Sequence, residues 1–296
     1  MNALLDNHSK SSRHVSILFL VITAVLWSLG GLLIKMVNWN PVAIAGMRSA
    51  IASVLLLAVI RRPKFNWSFP QIGGAVAYAA TVTLFVTANK LTTASNAILL
   101  QYTAPIYVAL IGAWLLKEKC TKLDWLTVFL VLGGMFLFFI DGLTPQGLAG
   151  NLIAILSGVS FAWLAIFIRM QKDGSSLESI LLGNILAALI GLPFMFQSAP
   201  DARGWLGLTL LGVFQLGLAY IFYTKAMKNV TALEGILIPV IEPILNPVWV
   251  LLAVGEVPGS WALAGGAVVL AAVTFRSLMP VLRQPQTKKS TGAAVD

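Results

Sequence analysis

Charge is what this chain is short of. Asp, Glu, Lys and Arg make up 10% of its 296 residues, against 58% that are apolar; an ordinary soluble domain carries about 25% charged residues. So thin a polar shell excludes a water-soluble fold. Histidine is nearly as scarce: His8 and His14 both lie beside the N-terminus, and Cys120 is the single cysteine. One cysteine excludes an internal disulfide and says nothing of redox compartment. With both histidines peripheral, no cluster of His, Cys and carboxylate can hold a metal inside the apolar stretches. The phosphate-binding glycine loop, the dinucleotide fingerprint and the nucleophile elbow are all missing. Their absence removes ATP-driven pumping and intramembrane hydrolysis, and with them an enzymatic reading and any expected cofactor.

What the chain has instead is apolar runs near the ~20 residues that a bilayer-spanning helix needs. Proline, glycine and charge cut them into ten segments, at 15–36, 42–60, 70–88, 94–116, 124–140, 150–170, 179–197, 204–226, 232–253 and 259–279. The expectation is an all-α integral membrane protein of ten transmembrane helices. The first run is too long, and its flank too poor in small residues, for a cleaved signal peptide. Residues 1–14 and 280–296 are polar and read as disordered tails. The net charge of +9 does not point to nucleic acid, because the cations sit in small groups at segment ends rather than along one stripe.

The chain also repeats itself. Lys90, Thr93, Ala94, Ile98, Leu99, Pro105, Ile106 and Glu118 reappear 138 residues later as Lys228, Thr231, Ala232, Ile236, Leu237, Pro243, Ile244 and Glu256. Gly74 keeps that offset to Gly212, and Lys35-Met36 answers Arg169-Met170 at 134. Two five-helix halves, 15–140 and 150–279, are therefore joined by a linker at 141–149. Sixteen of the twenty Lys and Arg fall on the side of the N-terminus, and Lys35, Lys90 and Arg203 fall on the other. Arg48 lies within a span. That bias places both termini in the cytoplasm. Five is odd, so the second half enters the membrane inverted. Inverted repeats are a common build of secondary transporters, with the substrate site where the halves meet.

The residues support a family resemblance as well. Each half carries a proline in its fourth span and a carboxylate at that span's end, Pro105 with Glu118 and Pro243 with Glu256, and Pro41 leads into a second span containing Arg48. In these features, over about 15–279, the chain resembles the EamA branch of the drug/metabolite transporter superfamily. It departs from that pattern at Gly183-Asn184, where the second half has no arginine. Within the branch it looks most like bacterial inner-membrane exporters of amino acids, the YddG-type exporters of aromatic amino acids. The resemblance implies a bacterial inner-membrane protein that exports aromatic or large neutral amino acids and related metabolites by alternating access. Cationic drugs and nucleotide sugars are competing cargoes, the latter short of cations for their phosphates. A membrane enzyme or scaffold is the competing class. The expected partners are a small-molecule substrate and the lipid bilayer, and a fused two-half bundle reads as a monomer.

Glu242 falls in mid-span, where an ionised side chain costs at least ~2.5 kcal/mol unless it faces protein or water. Its repeat counterpart is Ala104, so no need common to both halves explains it. Helical spacing puts it on one face with Asn246 and Trp249. It reads as a cavity residue or as a buried carboxylate tied to a neighbouring donor. Arg48, about 10 Å into its helix from Pro41, either attracts a substrate carboxylate or staples backbone carbonyls. Tyr78, Tyr102 and Trp163 fall near mid-membrane, where a polar tip needs a partner or a wet cavity. With Gln101, on the face of Ile98 and Pro105, they are candidate substrate contacts, the alternative being helix packing. Further polar or aromatic side chains on other spans are Trp27, Asn184, Gln215 and Tyr220. Pro105, Pro239, Pro243 and Pro247 remove backbone donors from the fourth and ninth spans, as hinges or as static kinks.

Overall fold

The computed structural model describes residues 2–92, 94–140, 147–174, 176–245, 249 and 259–282, and every regular element among them is helical. Helix α1 (Asn2–Ser28) begins upstream of the expected first span, so the polar segment read as a disordered tail is helical from Asn2. After a one-residue break at Leu29 the chain continues as α2 (Gly30–Met36). Asn40 caps α3 (Pro41–Ile60), its side-chain oxygen accepting from Val42 N at 2.9 Å, and Pro41 occupies the first turn, where no N–H is needed. Helix α4 (Phe69–Leu91) follows.

The fourth span is two helices, α5 (Ala94–Gln101) and α6 (Ala104–Leu115), rather than one. Pro105 explains the break: it has no N–H for the Gln101 carbonyl, and its ring crowds that oxygen. A capping box of Thr121 and Asp124 opens α7 (Lys122–Phe139), and α8 (Leu148–Met170) and α9 (Ser176–Met195) follow. Helix α10 (Ala202–Leu210) widens into a π-helical stretch, Leu211–Leu218, before α11 (Ala219–Ala226). A second capping box, Thr231 with Glu234, opens α12 (Ala232–Leu237). That helix tightens to a 3₁₀ turn at Ile238–Val240, residues 241–245 are helical again, and α13 (Ser260–Leu282) is the last helix described. Asn246, Pro247 and Glu256 lie outside the described residues.

Among the described residues, seven helical stretches are long and apolar enough to cross a membrane, and a shorter apolar stretch, Leu263–Ser277, lies within α13. Ten spans were expected. The ninth segment is helical from Ala232 to residue 245 and then runs beyond the described residues, so it is not counted among the seven.

The main helix pairs exchange with one another when the two halves are swapped. Helix α4 packs on α8, and the exchanged pair, α1 on α11, is also in contact. Contact of α4 with α9 is matched by α3 against the π-helical stretch, while α3 on α9 and α7 on α13 map onto themselves. Any two-fold relating the halves therefore passes between these last two pairs. Helices α3 and α9 cross through glycine: a Cβ on Gly46 would stand 2.7 Å from Gly191 Cα, and one on Gly191 2.6 Å from Gly46 Cα.

Packing also accounts for the π-helix. Added Cβ atoms on Gly212 and Gly217 would meet Ile51 at 2.6 Å and Leu55 at 2.4 Å, so both glycines press against α3. Residues five apart on an α-helix sit ~140° apart and do not face one neighbour together. An i→i+5 turn brings them onto the same side.

Candidate functional site

A small cavity of about 40 Å³ lies between the halves, well below the ~300–1,000 Å³ of sites that enclose a small molecule, so the halves must part around any ligand larger than a few waters. Its charged and polar lining comes from Arg48 on α3, Thr81 on α4, Gln101 at the break of the fourth span, Gln215 in the π-helical stretch, and Glu242. Its apolar wall is Trp27, Phe85 and Phe161, with Val82 and Leu216, and Tyr220 closes the ring.

Arg48 is 1% exposed. Its two terminal nitrogens donate to Gln215 Oε1 at 3.0 Å and to the Val82 carbonyl at 3.1 Å, and its Nε–H finds no partner among the described residues. Gly30 makes room for Gln215, since a Cβ there would stand 3.1 Å from Gln215 Nε2. Glu242 is 9% exposed and accepts a 2.7 Å hydrogen bond from the Tyr102 hydroxyl. The same hydroxyl lies 3.0 Å from the Pro239 carbonyl, which Pro243, lacking an N–H, leaves free. One hydroxyl proton serves two acceptors, so Tyr102 donates to an ionised Glu242 or, when Glu242 carries a proton and donates to it, to Pro239. Among the described residues, Arg48 and Glu242 form no ion pair with each other or with any other side chain.

Aromatic rings stand one behind another against this cavity. Trp27 packs on Tyr220 at 5.3 Å, on Tyr223 at 5.3 Å and edge-on against Phe161 at 5.7 Å. Tyr78 stands behind Tyr220, 4.8 Å away and edge-on, and donates to Asn184 Oδ1 at 2.9 Å. Asn184, in the second-half stretch that lacks an arginine, thus holds Tyr78. Gln101 donates to Ser157 Oγ at 2.8 Å, and Ser157 passes the bond on to the Thr81 carbonyl.

Of the expected contacts, Gln101, Glu242 and Arg48 line the cavity. Tyr102 touches it through Glu242, and Tyr78 only buttresses its wall. Trp163 does neither: it stacks on Phe167 at 5.5 Å. Phe161 faces the cavity, and two residues further along α8 is ~200° around the helix, so Trp163 points away. Asn246 lies outside the described residues. Trp27, Thr81, Phe85, Phe161, Gln215 and Tyr220 were not singled out as contacts, although Trp27, Gln215 and Tyr220 stand out among the polar and aromatic side chains of their spans. Of the hinge prolines, Pro105 sits in the first turn of α6, Pro239 in the 3₁₀ turn and Pro243 in the helical turn that follows.

Comparison with known proteins gives the same architecture a wider setting. The model of the EamA-like transporter family matches twice, at residues 14–140 and 148–278. An uncharacterized transporter of Archaeoglobus fulgidus is 26% identical, the match covering 86% of this chain and 93% of that one. A Bacillus subtilis uncharacterized transporter, YdfC, is 26% identical over 81% of this chain and 83% of its own. An uncharacterized protein of Pseudomonas aeruginosa is 27% identical over 75% and 81%. One crystal structure of a protein superposes with a TM-score of 0.75, covering 91% of this chain and 99% of that one at 19% identity, a likeness of fold.

Proposed function

Because the chain belongs to the EamA-like transporter family, we propose that it is a bacterial inner-membrane secondary transporter or facilitator exporting aromatic or large neutral amino acids. The observation that carries this reading is the pair Arg48 and Glu242, opposite charges that line one cavity without bonding each other. A buried, unpaired charge is costly. A zwitterion relieves both at once, its carboxylate toward Arg48 and its ammonium toward Glu242, while Trp27, Phe161 and Tyr220 receive an apolar or aromatic side chain. A cationic drug satisfies Glu242 but leaves Arg48 facing a like charge. Phosphorylated sugars would want more than one cation.

In this reading the halves are inverted and both termini are cytoplasmic, as the distribution of Lys and Arg supports, and alternating access is the rocking of one half against the other around the midplane cavity. Counterflow of radiolabelled phenylalanine and tryptophan into liposomes carrying the purified protein tests the cargo. Accumulation that unlabelled large neutral amino acids drive, and that alanine drives weakly, is the expected result. No counterflow with any large neutral amino acid would overturn the assignment.

A further inference from the structure

Every ion pair among the described residues belongs to one cluster at one end of the helices. Arg13 pairs with Glu234 at 2.6 Å, Arg276 bridges Glu234 and Asp124, and Arg169 pairs with Glu118 at 2.7 Å. Three cations meet three carboxylates, so the cluster is neutral. Three of its four pairs join a residue of the first half to one of the second: Arg13 to Glu234, Asp124 to Arg276, and Glu118 to Arg169. The second oxygen of Glu118 also accepts from the Ala232 backbone N–H at 2.9 Å, so one first-half carboxylate grips two second-half elements. Inward of the cluster the core is shut. Tyr223 and Met227 on the α11 side, and Ile236 and Leu237 on α12, lie between these charges and the cavity residues Tyr220 and Glu242 in the chain, and all are buried.

The opposite end is joined differently. There Thr92 Oγ1 and Asn96 Nδ2 reach Asn151 Oδ1 at 2.8 and 3.1 Å, and Trp39 Nε1 donates to the Ser198 carbonyl at 2.9 Å. These bonds also cross between the halves, yet all are neutral. The internal repeat shows that the two ends are versions of one design. Lys35 donates to the Asn89 carbonyl at 2.6 Å, and its counterpart Arg169 donates to that of Met227, 138 residues beyond Asn89, at 2.9 Å. Asn96 corresponds to Glu234 at the same offset. Asn96 holds Asn151 on α8, and Glu234 holds Arg13 on α1, which precedes Asn151 by the same 138 residues. Equivalent positions thus clasp both ends, by amides at one and by charges at the other.

Building on the transport reading above, we propose that Glu118–Arg169 and the chain Arg13–Glu234–Arg276–Asp124 form the gate of one mouth, closed here, which must part in each cycle. Charge-assisted bonds outlast neutral ones, so the unequal clasps bias the resting protein toward this state.

The test places one reporter in the cavity, Thr81→Cys in a Cys120→Ser background. A membrane-impermeant, charged methanethiosulfonate is applied from each side, using right-side-out and inverted vesicles. With the gate intact, the reagent reacts from the clasped side at a low rate. Glu118→Gln or Arg169→Gln raises that rate about tenfold, the effect of losing one hydrogen bond to a charged group. The reversed pair, Glu118→Arg with Arg169→Glu, returns it toward the parent value. A clasped-side rate unchanged by either neutralisation, or already high in the parent, overturns the gate. Thermal unfolding of each variant identifies any that fails to fold, and either single neutralisation then decides alone. No amino acid is added, so a failed cargo assignment leaves this result standing, and the converse also holds.

Discussion

Neutral oxygens are all that hold Arg48, a buried guanidinium bonded to one side-chain amide and one backbone carbonyl. That geometry staples a carbonyl on α4 and leaves the Nε–H without a partner among the described residues. Replacing it by lysine keeps the charge but loses the fork that reaches Gln215 and Val82 together. Arg48→Lys and Glu242→Gln are each expected to weaken amino-acid binding by about tenfold to a hundredfold, the range for losing a hydrogen bond to a charged group. Equilibrium binding of tritiated phenylalanine to detergent-solubilised protein checks this, and a variant within twofold of the parent removes that residue from the site. Both residues were legible in the sequence because a charge in mid-span has few innocent explanations. Phe161, on the aromatic wall, was not. Trp163 and Phe161 are equally apolar, and only the rotation of α8, set by its packing on α4, turns the second inward and the first away.

At the scale of an element, the prolines announced their effects and the glycines concealed theirs. The break between α5 and α6 follows from Pro105, a residue the hydropathy pattern already marked. The π-helical stretch left no trace in hydropathy, because it arises from Gly212 and Gly217 pressing on a neighbour far along the chain. The two glycines differ in what a side chain would meet. A Cβ on Gly212 runs into Ile51 Cβ and, at 2.8 Å, the Arg48 carbonyl, atoms that cannot swing aside. A Cβ on Gly217 runs first into the end of the Leu55 side chain. Gly212→Ala is therefore expected to cost about 1–3 kcal/mol, as overpacking does, and to gain nothing from Ile51→Ala, which keeps the offending Cβ. Gly217→Ala is expected to recover most of its loss when combined with Leu55→Ala. Thermal unfolding in detergent measures both cycles, and rescue of Gly212→Ala by Ile51→Ala would show that the contact is softer than its atoms imply.

For the whole molecule, the 138-residue offset carried most of the information. It pointed to two related halves, the family model matches once over each, and the main helix pairs exchange with one another. What it left hidden is the unequal chemistry of the two ends, because Asn96 and Glu234 are equivalent in position and unlike in charge, and their partners become visible only once the helices are packed. That inequality is open to inversion. Asn96→Glu with Asn151→Arg places a charged pair at the mouth now joined by neutral bonds, at side chains already 3.1 Å apart. If clasp strength sets the resting state, this double substitution shifts the protein toward closure at that mouth. In the Thr81→Cys, Cys120→Ser background, modification from that side slows and modification from the Glu118 side quickens, each by about tenfold for a gain near 1.4 kcal/mol. Adding Glu118→Gln to the same chain strengthens the shift, since one clasp is tightened while the other is loosened. If modification slows from both sides together, the new pair has only stiffened the bundle. The resting bias would then have to reside in the core between the charges and the cavity, where Tyr223, Met227 and Ile236 are packed, rather than in the clasps.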